Sequence, residues 1–262
     1  MPNKPSVLIT GASTGIGAVY ADRFAKRGHG LVLVARDRAR METLADRLRR
    51  ETGVAVDILR SDLNDANDLA QVEARLRNDD RIGILVNNAG TTTAGGFIDQ
   101  RPEDVARVVN LNAMAPIRLA HAVAPRFAKA GEGAIVNIGS VVGLWPEYGS
   151  TIYGATKAFV LFLSQSLQAE LGPKGVYIQA VLPAVTRTAI WEHAGKDVDA
   201  LPAVMEAGEL VDAALAGFDR RETVTIPPLP DDGQWRAFET ARRVMLPNFN
   251  QAHAARRYHS AA

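Results

Sequence analysis

The sequence contains no cysteine. That excludes disulfides, thiolate nucleophiles and cysteine-ligated metal. It also lacks an excess of either charge: 30 Lys+Arg stand against 29 Asp+Glu, a formal net charge of +1, so no global field draws the chain to nucleic acid or to an anionic membrane. No apolar run reaches the length needed to cross a bilayer. The opening MPNKPSVLIT leads into a strand-like segment without a charged region and apolar core before it, so no secretory signal is expected. Neither a linker rich in Pro, Gly or Ser nor a repeat of solenoid spacing divides the chain. The five histidines, His29, His121, His193, His253 and His259, lack zinc-like spacing, so no metal is expected. A cytoplasmic protein with one domain over 1–262 is the reading of length and composition.

What is present is alternation. Ser6–Thr10, Leu31–Ala35, Val54–Leu59, Ile82–Asn87, Ala134–Gly139, Val176–Leu182 and Thr223–Ile226 read as strands, several of them apolar throughout, as a sheet buried on both faces requires. Between them Gly15–Arg27, Ala39–Glu51, Asp65–Arg77, Glu103–Lys129, Thr151–Leu171 and Ala207–Phe218 read as helices. Right-handed β-α-β units then predict an α/β fold, a parallel doubly wound sheet with helices on both faces.

The first turn, Thr10-Gly11-Ala12-Ser13-Thr14-Gly15-Ile16-Gly17, lies between a strand and a helix. Glycines there let backbone N–H groups approach a pyrophosphate, and the helix N-terminus favours negative charge. The second strand ends LVLVARDRAR, with Ala35 and Arg36 where an NAD-binding domain carries an acid for the ribose 2′-hydroxyl. An arginine pairs with a 2′-phosphate through a bidentate fork. Arg36, with Ser13 and Arg40, thus points to NADP rather than NAD; a solvated basic helix is the other reading, since Arg38, Arg47, Arg49 and Arg50 follow. Asp62, after the third strand, either reaches the adenine or starts the next helix, with Asn64 or Asp65 as caps. Asn87-Asn88-Ala89-Gly90 either lines the nucleotide cleft or holds a turn. In VVNLNAMAPIRL, Asn110 and Asn112 put amides on a helix facing the sheet, where a buried amide needs partners.

Thr151–Leu171 carries Phe159, Phe162, Leu163, Leu167 and Leu171 close to the helical repeat. Tyr153 and Lys157, at i and i+4, leave one face of it. A phenol titrates ordinarily near pH ~10, and a fixed ammonium beside it favours the phenolate, so the two form an acid/base pair.

Together these pieces resemble the short-chain dehydrogenase/reductase family. The resemblance rests on T-G-x-x-x-G-I-G at 10–17, N-N-A-G at 87–90, the asparagine of V-N-L at 110, Ser140, Y-x-x-x-K at 153–157 and Pro183, and it covers about residues 5 to 190. It implies a Rossmann-type domain that uses NADP(H) to interconvert a ketone and a secondary alcohol. Tyr153 would exchange the proton with the substrate oxygen, Ser140 would hydrogen-bond that oxygen, and Lys157 would lower the pKa of Tyr153 and hold the nicotinamide ribose. Asn110, rather than Asn112, matches the family's asparagine, which helps hold a proton-relay water. Gly11, Ser13, Thr14, Gly15, Ile16 and Gly17 would meet the phosphates and ribose, Asp62 and Leu63 the adenine, Asn88, Ala89 and Gly90 the nearby ribose, and Pro183 and Thr188 the carboxamide side.

Two features depart from that pattern. Pro183-Ala184 stands where Pro-Gly is common, and the chain runs on past the last strand as an extension over about 228–262. Trp235, Phe238, Ala241, Val244 and Met245 would share one side of an extra helix there, covering the substrate pocket or packing on another subunit. A homo-oligomer is expected, a dimer through the long helices at 103–129 and 151–171, with a tetramer left open. Specificity should lie in loops beyond the strand ends: Thr92, Ala94, Val142, Leu144, Trp145, Tyr148 and a loop over about 184–208 that includes Trp191. That set is more apolar than charged and predicts a moderately sized, hydrophobic ketone or alcohol, although Trp145 and Trp191 read equally well as core. An NADP-binding sensor, or an epimerase or dehydratase that returns the hydride within one turnover, are the alternative readings. The presence of Asn110, Ser140, Tyr153 and Lys157 favours catalysis.

Overall fold

The strands are apolar on both faces because two hydrophobic layers need them. In the computed structural model, which describes residues 4–259, Val7 and Ile9 of β1 (Ser6–Thr10) and Leu31 and Leu33 of β2 (Leu31–Ala35) enter one core. Leu8, Val32 and Val34 enter the other, since successive strand side chains point to opposite faces. The first core is closed by α1 (Gly15–Lys26), α2 (Arg38–Thr52) and α8 (Ala207–Asp219), through Tyr20, Phe24, Met41, Leu48, Leu210 and Leu215. The second is closed by α3 (Ala66–Asn78), α5 (Ala115–Ala130) and α6 (Thr151–Leu171), through Leu69, Val72, Leu76, Leu119, Val123 and Leu171.

With β3 (Val56–Arg60), β4 (Ile82–Asn87), β5 (Ala134–Ile138), β6 (Tyr177–Val181) and β7 (Val224–Thr225), the sheet has seven parallel strands in the order β3-β2-β1-β4-β5-β6-β7. This is the doubly wound α/β fold expected from the alternation. The order reverses between β1 and β4, so the carboxyl ends of those strands open the crevice where ligands of such sheets bind.

Helix starts differ in a way that bears on that crevice. Asp37 caps α2 by accepting from Arg40 N, and Asp65 caps α3 by accepting from Asn67 N and Asp68 N. At α1 the N-cap Thr14 makes no side-chain bond and the first turn has no acid. Its N–H groups therefore keep their capacity for an anion.

The continuous helix expected over 103–129 is interrupted. α4 (Pro102–Val109) passes into a π turn, Asn110–Met114, before α5, and Ala115 N–H donates to the Asn110 carbonyl five residues back. The reason is Pro116. It has no N–H for the carbonyl of Asn112 and would crowd it in a regular helix, and one wide turn absorbs the conflict. The turn leaves Asn110 exposed and Asn112 only 2% exposed.

Between β6 and α8 the chain is stapled at its base. Thr186 bridges Met205, Met205 N donates to Val185 O at 2.9 Å, and Arg187 pairs with Asp199 at 2.5 Å and Glu206 at 2.8 Å. A short helix, α7 (Ile190–His193), lies within this loop. The chain divides into two compact units, Met1–Pro227 and Pro228–Ala262, at the point where the sequence sets off its extension. The second unit contains α9 (Asp232–Val244), on which Trp235 and Phe238 stack with ring centroids 5.4 Å apart, while Phe238, Val244 and Met245 are exposed. No helix of the described residues is long and apolar enough to cross a membrane.

Candidate active site

The glycine-rich turn after β1 is fastened to the end of β4. Asn88 Nδ2 donates to Thr10 O at 2.8 Å and Gly11 O at 3.2 Å, and the backbone N–H groups of Asn88 and Ala89 donate to Thr10 Oγ1 at 3.0 Å each. Both amide protons of Asn88 are thereby engaged with backbone, so this asparagine holds the turn. A side chain at Gly17 would collide with Gly11 O and Asn88 Nδ2, which explains the glycine by close approach. The Thr188 methyl faces the opposite side of the turn, 3.1 Å from where a Cβ on Gly15 would stand.

Arg36 follows β2, is exposed, and has no ion-pair partner among the described residues. Ser13, Ala39, Arg40 and Thr43 line a groove between α1 and α2, with Arg40 Nε 3.3 Å from Asp37. Leu63 is buried and Asp62 half-buried, the latter's carboxylate accepting from Asn64 N at 3.0 Å.

Across the crevice, Lys157 on α6 is buried, and its Nζ donates to Ile138 O at the end of β5 at 2.8 Å. The same Nζ lies 5.5 Å from the centroid of the Tyr153 ring. Burial pulls the Lys157 ammonium down to about 8. Ser140 caps the turn after β5 by accepting from Val142 N at 3.2 Å and donates to Pro183 O at 3.3 Å. Tyr153 stands near enough for the Ser140 hydroxyl to favour its phenolate. Tyr153 is pushed up to about 12: burial raises it, the Ser140 hydroxyl lowers it, and the nearby Tyr148 raises it. Burial disfavours the phenolate more than Ser140 favours it. Ser140 and α6 approach this closely because Gly143 has no side chain: a Cβ there would stand 2.7 Å from Ala158 N and from Lys157 C.

Asn110 is corrected by the π turn. It is exposed, whereas Asn112 enters the site: Nδ2 donates to Thr91 O at 2.9 Å and Thr156 Oγ1 at 3.1 Å, and Oδ1 accepts from Thr91 N at 2.9 Å. A Cβ on Gly90 would lie 3.4 Å from Asn112 Oδ1 and 3.5 Å from Lys157 Nζ, so residues 90, 112 and 157 meet at one point. The signal in the sequence was Pro116, four residues beyond Asn112.

The rim is aromatic. Trp145 and Tyr148 have ring centroids 5.2 Å apart, and Lys196, from the loop after β6, places Nζ 5.5 Å from the Tyr148 ring. Gly195 of that loop abuts Ala94, Val142 packs on Gly154 one residue from Tyr153, and Leu144 is half-buried. Trp191 Nε1 donates to Thr186 O at 2.8 Å, so its indole ties the loop to its own base.

A model of the short chain dehydrogenase family matches residues 5–199. The chain belongs to the short-chain dehydrogenase family. Among solved structures, a short-chain dehydrogenase from Sphingobium yanoikuyae in complex with NADPH is 63% identical with a TM-score of 0.96, over 97% of this chain and 100% of that one. The bulky-bulky ketone specific alcohol dehydrogenase from Comamonas testosteroni is 59% identical with a TM-score of 0.92, over 98% of this chain and 99% of that one. The very-long-chain 3-oxoacyl-CoA reductase of Anas platyrhynchos is 33% identical over 186 residues, 69% of this chain and 59% of its own, so the chain spans about three fifths of that relative.

In this short-chain dehydrogenase the buried ammonium makes stability depend on pH. Lys157 falls from 10.5 to about 8 on folding. Between those values the unfolded chain holds a proton that the folded chain does not, so stability rises with pH across the window and is lowest, by ~3 kcal/mol, below it. Lys157→Met should therefore unfold at higher urea concentration than wild type near neutral pH, with the difference shrinking toward the alkaline end. Equal midpoints at every pH would mean that the ammonium is solvated.

Proposed function

We propose that the chain is an NADP(H)-dependent oxidoreductase that interconverts a bulky, largely hydrophobic ketone and its secondary alcohol. The observation that carries this is the gathering at the carboxyl ends of the sheet strands of Ser140, of Tyr153 and of buried Lys157, whose Nζ lies 5.5 Å from the Tyr153 ring centroid and donates to Ile138 O. A proton donor and a second hydroxyl then converge on one point, as a carbonyl oxygen requires. With its phenol held near 12, Tyr153 carries its proton at neutral pH and is ready to give it during reduction.

NADPH, when bound, supplies the hydride. The residues fit such a cofactor: the turn 11–17 with the uncapped start of α1 would hold the pyrophosphate, and Arg36, with Ser13, the 2′-phosphate. Asp62 and Leu63 would meet the adenine, Ala89 and Gly90 the ribose, and Pro183 with Thr188 the carboxamide side. Lys157, with two donors beyond its bond to Ile138 O, would hold the nicotinamide ribose hydroxyls. Asn112, rather than Asn110, would support the ammonium side of the site. The NADPH complex of the Sphingobium yanoikuyae protein supports this reading, and the name of the Comamonas testosteroni enzyme supports a bulky ketone. Val142, Leu144, Trp145 and Tyr148 would line its apolar part.

α6 exposes Phe162 at 71% and Phe159 at 36%, and α4 and the π turn, which pack against α6, expose Val109 and Met114. We read this apolar face as the contact with a second copy. Phe162→Asp should then shift sedimentation from dimer to monomer, and a monomeric wild type would remove the reading.

Wild-type protein should oxidise NADPH in the presence of bulky aryl or alkyl ketones, and Tyr153→Phe should lose at least ~100-fold in kcat with NADPH binding kept. Turnover that survives in the variant would assign the proton to another group. Arg36→Ala should raise the KM for NADPH about tenfold or more and leave that for NADH nearly unchanged, the loss of a charge-assisted hydrogen bond being worth ~1.5–3 kcal/mol. Equal changes for both cofactors would return Arg36 to the solvated helix.

A further inference from the structure

We propose that Thr156 is a positioning residue for catalysis, the link that sets Tyr153 and Lys157 against Asn112. It lies between the two in sequence and is 5% exposed. Its hydroxyl donates to the Tyr153 carbonyl at 2.8 Å, which uses its single proton, and so meets Asn112 Nδ2 at 3.1 Å as an acceptor.

The direction of that second bond is forced. Thr91 N can only donate and Thr91 O can only accept, so the 2.9 Å contacts to each fix which end of the Asn112 amide is oxygen and which nitrogen. The remaining amide proton points at Thr156. Three elements are thereby joined through one hydroxyl: the segment leaving β4 at Thr91, the π turn at Asn112, and the first turns of α6. Those turns present Tyr153 and Lys157.

Serine keeps this chemistry and valine keeps only the shape. In Thr156→Val the Asn112 proton loses its acceptor in a buried place, where an unpaired donor is unfavourable, and the amide must turn away from Thr91 or push α6 aside. Either movement displaces the groups that meet the substrate oxygen, and displacements of about 1 Å lower rates by roughly a hundredfold. The phosphate turn, fastened through Asn88 and Thr10 instead, is untouched. The effect therefore falls on kcat far more than on the KM for NADPH, in which the Lys157 contact with the ribose is one of many.

The inference rests on the ketone-reductase reading, and the experiment separates the two. Steady-state NADPH oxidation is measured for wild type, T156V, T156S, N112A and the T156V/N112A double variant, with hydrogen exchange of the Thr91 amide followed in each. The expected result is a fall of about tenfold to a hundredfold in kcat for T156V with KM for NADPH within twofold, recovery to near wild type in T156S, and no further loss when T156V is added to N112A. Thr91 exchange should quicken in T156V and N112A and not in T156S. Unchanged kcat in T156V, equal loss in T156S, or additive losses in the double variant would overturn the proposal. If T156V does not fold, T156A removes the same acceptor without the second methyl. A wild type without turnover would remove the reductase reading alone, and Thr91 exchange would still decide the link: unchanged exchange in T156V overturns it.

Discussion

An ammonium held out of water constrains everything around it. Lys157 has a backbone carbonyl, Ile138 O, as its acceptor, and burial is the one cause behind its lowered pKa. Removing a charge from water costs several kcal/mol. A buried carboxylate would offset that, yet it would also keep the lysine charged and anchored. A carbonyl leaves it able to release its proton near neutral pH and leaves donors for other partners. The lysine can stand there only if β5, the Ser140 turn and α6 hold one another in place, and Gly143 is where that closeness is settled.

A chain of buried amides holds the same elements from behind. Asn87 at the end of β4 donates to Asn137 Oδ1 at 2.9 Å, Asn137 on β5 donates to Ser164 Oγ at 2.9 Å, and Ser164 on α6 donates to Val160 O at 2.7 Å. Each bond adds ~1 kcal/mol net, but an unpaired member would cost about 1–3 kcal/mol. The asymmetry favours register: apolar packing tolerates small sliding of a helix over a sheet, whereas these directional bonds resist it, although Asn87 Oδ1 itself finds no partner among the described residues. Asn87 therefore acts on the helix layer, while its neighbour Asn88 acts on the glycine-rich turn.

Sequence patterning was most legible where a single period governed a segment. The strands fall within about two residues of their expected bounds because most of their side chains face a core, and Arg36 and Ser140 follow strands, and Tyr153 and Lys157 lie in the first two turns of a helix, as expected. The region after residue 103 was not legible in this way. A residue two positions away on a helix faces nearly the opposite side, so choosing between Asn110 and Asn112 requires the local turn type, which Pro116 changes and a 3.6-residue period does not register. Resemblance to a motif did not rescue the choice, since both asparagines lie within one short apolar stretch. The ionisation of Tyr153 was illegible for another reason: spacing predicts which charges are near, but desolvation depends on the whole fold.

The two sides of the crevice are stabilised differently, and this separates chemistry from specificity. Ser140, Lys157 and Asn112 are set by strands, a long helix and hydrogen bonds among buried groups. The opposite wall, after β6, is held by the Thr186–Met205 bridge, the ion pairs of exposed Arg187 and the Trp191 indole. Exposed ion pairs contribute at most ~1 kcal/mol each, so the loop is secured at its base and weakly along its length. Its contacts with the rim are a cation over Tyr148 and a glycine against Ala94, neither of which demands a fixed depth of closure. Such a wall can adjust while Ser140, Lys157 and Asn112 stay where buried hydrogen bonds put them. The Trp191 indole holds that loop to its own base.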